Sequence, residues 1–196
     1  MGLKAGEWMK RVNESVFFPL RYSKLLQLIC PMIRTGDRVL DIGAANGALA
    51  SLIGRERPVD MTAIDRNVQP GALLPVMQHD GKDLGFEDDS FDCVLLIDVL
   101  HHDRNPRAIL KEAIRVSRRS VIIKDHYWKN RFDHMLLRIS DFLGNKCYGI
   151  ALPYNFLTLE QWDRLFAECG LYVAAFQVYS NHMLDICNNA LFELRK

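Results

Sequence analysis

One run of small residues around a single acid, Val39-Leu40-Asp41-Ile42-Gly43-Ala44-Ala45-Asn46-Gly47-Ala48-Leu49-Ala50, is the part of this chain best suited to holding a ligand. Residues 38–42 read as a short buried strand, the small residues as a turn, and a helix begins near Asn46. Small residues at a strand-to-helix turn let a ligand approach the backbone, because no side chain stands in the way. A second acid, Asp65, ends the next apolar run (59–64), roughly 20 residues beyond the turn, where nucleotide-binding α/β folds place a carboxylate for ribose hydroxyls. A nicotinamide dinucleotide fits poorly. The G-x-G-x-x-G spacing is missing, Ala45 stands where a central glycine would be, and Asp41 at the strand tip would oppose a pyrophosphate. A ligand with a ribose, no phosphates and a positive charge suits these residues better.

S-adenosylmethionine, a cationic sulfonium, is such a ligand. Asp41-x-Gly43-x-x-x-Gly47 resembles the first motif of class I S-adenosylmethionine-dependent methyltransferases. The pair Asp80-Gly81, the run Phe86-Glu87-Asp88-Asp89-Ser90-Phe91-Asp92 and the run Asp98-Val99-Leu100-His101-His102 resemble later motifs of the type-11 group, which includes ubiquinone/menaquinone-biosynthesis enzymes. The resemblance covers residues 38–124 in order and spacing. It implies an α/β, three-layer Rossmann-like methyltransferase fold: a seven-stranded, mostly parallel sheet with an antiparallel last strand. It implies S-adenosylmethionine as donor and S-adenosylhomocysteine as product. Donor contacts would come from Asp41, Gly43, Ala44, Ala45, Gly47, Asp65, Arg66, Asp80, Gly81, Asp98 and Val99, with Asp80 meeting the adenine amino group. Ala45 departs from the family's glycine, and its methyl is expected to pack more tightly against the ligand without abolishing binding.

Methyl transfer from a sulfonium is a direct displacement, so the protein mainly aligns a nucleophile and excludes water. A general base helps only where the acceptor must lose a proton. His102, past the fourth strand tip, His126, past the fifth, and Tyr154 are the candidate catalytic or acceptor-contacting residues. No metal is expected. The one constellation weighed for a divalent cation is Asp98, Asp125 and His126, at neighbouring strand tips. DNA amino-methylation and cytosine methylation are disfavoured, because the fourth strand tip reads Asp98-Val99-Leu100-His101 and no Pro-Cys dipeptide occurs. A small or lipid-like acceptor fits better. The competing function is a non-catalytic S-adenosylmethionine-binding module of the same fold.

The elements that must position these groups read as one domain over residues 1–196. Helices are expected within 7–34. A nearly continuous apolar strand follows at 91–97, as parallel strands covered on both faces require. A helix over 105–117 has Asn105 as N-cap and Pro106 at its first position, and strand five is expected over 120–124. Residues 128–157 interrupt the strand–helix rhythm and suggest a lid over the ligand edge. Within them Phe132, Met135, Leu136, Ile139, Phe142 and Leu143 form an apolar helical stripe stopped by Gly144. Thr158 and Gln161 have capping-box spacing, and the last two strands should pair antiparallel.

With 25 Lys and Arg against 24 Asp and Glu, the net charge of +1 gives no field drawing the molecule to nucleic acid. The basic stripe Arg104, Arg107, Lys111, Arg115 and Arg118 reads as the solvated face of a covering helix. Five scattered cysteines without a C-x-x-C pair suggest reduced thiols and a cytoplasmic setting. No signal-peptide or transmembrane segment is expected.

Overall fold

The computed structural model describes residues 18–79, 83–145, 149–181 and 187–196. Asp80 and Gly81, and the helical segment expected before residue 18, lie outside the described residues. Seven strands form one sheet: β1 (Arg38–Ile42), β2 (Asp60–Asp65), β3 (Val76–Gln78), β4 (Phe91–Ile97), β5 (Ser117–His126), β6 (Tyr172–Tyr179) and β7 (Asn189–Arg195). Their order is β3-β2-β1-β4-β5-β7-β6. The first five run parallel, and β7 is antiparallel to both its neighbours. The helices are α1 (Phe18–Ile29), α2 (Ala48–Glu56), α3 (Pro106–Val116), α4 (Arg131–Asn145) and α5 (Leu159–Glu168), with short 3₁₀ turns at Cys30–Met32 and Leu100–His102.

Alternation along β4 divides the core into two layers, because successive side chains leave a strand on opposite faces. Cys93, Leu95 and Ile97 pack with Leu25 and Ile29 of α1 and Leu49 and Ile53 of α2. Val94 and Leu96 pack with Leu110 of α3 and with Trp162 and Phe166 of α5. A central strand covered on both faces must be apolar where it is covered, and β4 is so from Cys93 to Ile97. The helix starts follow their caps. Asn105 accepts the Ala108 N–H at 3.3 Å, and Thr158 and Gln161 close a reciprocal capping box at 3.2 and 2.8 Å.

Three expectations are corrected. Strand five is longer than 120–124, so Asp125 and His126 lie within it and pair with Ala190 and Asn189 of β7. Only the return of a distant antiparallel strand supplies those partners. The second helix begins at Ala48, because Gly47, at φ +71°, is its N-cap. Helix α4 runs through Gly144 to Asn145. Its apolar stripe also faces outward: Leu137 and Asp141 are buried, whereas Phe132, Met135, Ile139, Phe142 and Leu143 are exposed. Periodicity reveals that a helix has an apolar face but not which surface covers it.

Candidate functional site

The parallel registers bring the C-terminal ends of β1, β2 and β4 to one rim. Ile42 is level with Ile64 and with Leu96, so Asp41, Asp65 and Asp98 gather along a single sheet edge. The bend after β1 is tied to β2, with Gly43 and Ala44 N–H groups both donating to the Ile64 carbonyl at 2.9 and 3.1 Å. Asp65 holds the bend from the side. Its Oδ2 accepts the Ala45 N–H at 2.7 Å and its Oδ1 accepts the Asn67 N–H at 2.6 Å. Each oxygen retains a second lone pair for a hydroxyl.

The glycines of the bend serve packing within the chain as well as ligand approach. A Cβ on Gly43, at φ +84°, would lie 2.4 Å from Val99 Cγ2, and one on Gly47 would lie 2.8 Å from Leu74 Cγ. Ala45 adopts φ +53°, a left-handed conformation that glycine accepts more readily, which explains why the resembled family prefers glycine there. Arg66 lies at the β2 tip and pairs with Asp103 at 2.8 Å on the surface.

Asp41 is the group that points to a cation. It is 3% exposed, and burial together with the neighbouring Asp65 carboxylate pushes its acid up to about 7. Both influences oppose its negative charge, so a positively charged ligand group beside it would relieve them. This donor set fits the ammonium, sulfonium and ribose of S-adenosylmethionine.

Asp98, at φ +57°, sits instead in a buried charge network. Its carboxylate accepts from Arg21 of α1 and, at 2.5 Å, from Lys124 Nζ of β5, with His126 Nε2 at 3.3 Å. Burial opposes ionisation, but the charges of Arg21 and Lys124 hold its acid well below the ordinary carboxylate range. Burial and the Lys124 charge push His126 down to about 3, so its ring is neutral. Next to it, His101 is buried and its Nδ1 lies 2.5 Å from Asp125 Oδ1. Burial works against the imidazolium, yet the Asp125 carboxylate raises His101 to about 10. His102 is lowered by burial and by the charge on His101, and its Nδ1 lies 3.1 Å from the Ala151 carbonyl.

The segment 149–157 crosses these strand tips. The Asn155 N–H donates to the His101 carbonyl at 3.2 Å, Trp128 Nε1 donates to the Phe156 carbonyl at 3.0 Å, and Phe156 stacks on His101 at 4.9 Å. Beside it opens a groove of about 690 Å³ whose lining includes Arg138, Ile139, Phe142 and Tyr154. The Arg138 guanidinium lies 4.8 Å from the centre of the Tyr154 ring. The structure thus brings His102 and His126 to the strand tips and sets Tyr154 in the groove. Sequence reasoning passed over Arg21, Lys124 and Asp141, and weighed His101 only as one of three histidines able to act as a base. The available signal was Lys124-Asp125 closing the apolar run Val121-Ile122-Ile123; no local pattern marks Asp141.

A family model described as "Methionine biosynthesis protein MetW" matches residues 24–180. The ubiquinone/menaquinone biosynthesis C-methyltransferase UbiE of Nitrosospira multiformis is 35% identical over 99 residues, covering 44% of this chain and 41% of that enzyme. The chain therefore spans less than half the length of this curated relative. Among solved structures, a chain of the Haloferax volcanii complex that contains the Trm112 methyltransferase activator superposes with a TM-score of 0.72 at 14% identity, over 97% of this chain and 93% of that one. An S-adenosylmethionine-dependent methyltransferase from Aquifex aeolicus gives 0.65 at 14% identity, over 99% and 100%. Likeness at that identity establishes the class I methyltransferase fold, with β7 antiparallel as the resemblance implied.

Proposed function

The chain belongs to the MetW family, and we propose that it transfers a methyl group from S-adenosylmethionine to a small or lipid-like acceptor by direct displacement. The observation that carries this reading is the rim of β1 and β2, where a buried acid near neutrality and a second, backbone-anchored acid flank a glycine bend. When bound, the donor supplies an electrophilic methyl on a cationic sulfur. Asp41 would face its positive charge, Asp65 its ribose, and the backbone from Gly43 to Gly47 would lie against it. The resemblance assigns the adenine to Asp80 and Gly81.

The acceptor is assigned to the groove beside α4, whose exposed apolar side chains and Tyr154 suit an apolar body. Of the two histidines, His102 is the better proton acceptor, since it is neutral and partly open. His126 is enclosed against Asp98. Residues 149–157 would act as the lid that excludes water.

Calorimetric titration tests the reading. The full chain is expected to bind S-adenosylmethionine and S-adenosylhomocysteine, and Asp65→Ala to weaken both at least tenfold by freeing the bend and removing the ribose acceptor. Absence of binding to either ligand would refute it. Incubation with radiolabelled donor and a metabolite extract should yield a labelled product; donor binding without product would leave a non-catalytic binding module of the same fold.

A further inference from the structure

We propose that His101, His102 and Asp141 form a binding site for a divalent transition-metal ion of the zinc or cobalt type. The Nε2 atoms of His101 and His102 lie 3.6 and 3.7 Å from one oxygen, Asp141 Oδ1, and the three ligand atoms fall within 4.8 Å of one another. Both separations are too long for hydrogen bonds. They are close to the span of roughly 3.3 Å between ligand atoms around a tetrahedral ion with bonds of about 2.0–2.1 Å.

Each imidazole is already oriented by its other nitrogen. His101 Nδ1 is held by Asp125 at 2.5 Å, and His102 Nδ1 by the Ala151 carbonyl at 3.1 Å. A carbonyl can only accept, so His102 carries its proton on Nδ1 and presents the Nε2 lone pair toward Asp141, whereas His101, held as an imidazolium by Asp125, must release its Nε2 proton as the metal binds. Anchoring of the distal nitrogen by a carboxylate or carbonyl is how metal-ligating histidines are fixed.

Asp141 supplies an independent observation. It is 7% exposed on a helix whose other buried residue is Leu137. Its Oδ1 accepts from Asn145 at 2.6 Å, but its Oδ2 is buried with no hydrogen-bond partner among the described residues. A buried carboxylate short of donors is costly, and a cation held by its other oxygen would offset that cost. Three protein ligands leave at least one coordination position open, and the His102 side chain, 17% exposed, marks the route in. The neighbouring cluster of Asp98, His101 and Asp125 is a poorer site, because Asp98 already holds Arg21 and Lys124.

A metal on Nε2 excludes His102 from acting as a free base, so the two roles compete for one atom. The site stands independently of donor binding. The test is titration of the chelator-stripped full chain with Co²⁺ alone and with Zn²⁺ alone. Stoichiometric Co²⁺ uptake is expected, with the visible absorption of a four- or five-coordinate ion, displaced by Zn²⁺. Asp141→Asn and His102→Gln should each weaken Co²⁺ binding at least tenfold. Asp125→Asn, which replaces the carboxylate that anchors His101 with a neutral amide, should weaken it roughly ten- to a hundred-fold. Circular dichroism of the metal-free variants should match the parent; if Asp141→Asn does not fold, His102→Gln at its partly open position decides. No stoichiometric uptake by the parent, or uptake undiminished in the folded variants, overturns the proposal. Metal uptake without donor binding overturns only the methyl-transfer reading, and donor binding without metal uptake overturns only this one.

Discussion

Asp41 concentrates the electrostatics of the donor rim in one side chain. Its acid rises from an ordinary 3.8 to about 7 on folding, so between those values the folded chain holds a proton that the unfolded chain has lost. Its stabilising contribution is therefore complete below 3.8 and is lost as pH rises through 7. Ligand binding has the opposite sign, because a cationic group meets a carboxylate only after that proton leaves. Affinity for S-adenosylhomocysteine should fall below pH 7, by up to about tenfold per pH unit, and Asp41→Asn should flatten the dependence. Calorimetry at several pH values checks this, and an equal slope in the parent and Asp41→Asn would reject the role. The acid itself was legible in the sequence from its place before a glycine bend. Its protonation was not, since that depends on burial and on Asp65, which arrives from another strand.

Among the elements, α5 was the easiest to read, because both partners of its capping box are local and its buried residues, Trp162 and Phe166, follow helical spacing. Removing the cap through Thr158→Ala leaves the Gln161 N–H without its acceptor and should cost about 1 kcal/mol in urea or thermal unfolding. Donor affinity should be unchanged, since α5 packs away from the bend. Helix α4 was harder. Its apolar stripe was visible, but which side faces inward is set by the burial of Leu137 and Asp141, the latter beside His101 and His102 some forty positions earlier in the chain. Strand β5 was read short for a related reason: charged Lys124 and Asp125 look like a strand end until β7 pairs with them.

Across the whole molecule, the Arg21–Asp98–Lys124 network joins an N-terminal helix to the two central strands at the ligand edge. Lys124 has no exposed surface, and burial lowers its ammonium although Asp98 supports it. Lys124→Met would leave Asp98 buried with Arg21 and a neutral His126, and should cost about 3–5 kcal/mol in chemical denaturation. Adding Asp98→Asn, a residue that tolerates the left-handed backbone at φ +57°, should recover much of that loss. Without such recovery, Lys124 would matter for packing and not for charge. The same scale governs the surface: among the described residues no helix is long and apolar enough to cross a membrane.

By itself the sequence determined the order of elements, the glycine bend and the acids at the ends of β1, β2 and β4. Each is written in local periodicity and in residues that end a strand or permit a turn. Only the tertiary structure decided the charge states of the histidines, the enclosure of Asp98 and the meeting of His101, His102 and Asp141. Those properties are interactions between groups distant in the chain, and their sign and size depend on separations and burial that no local pattern encodes.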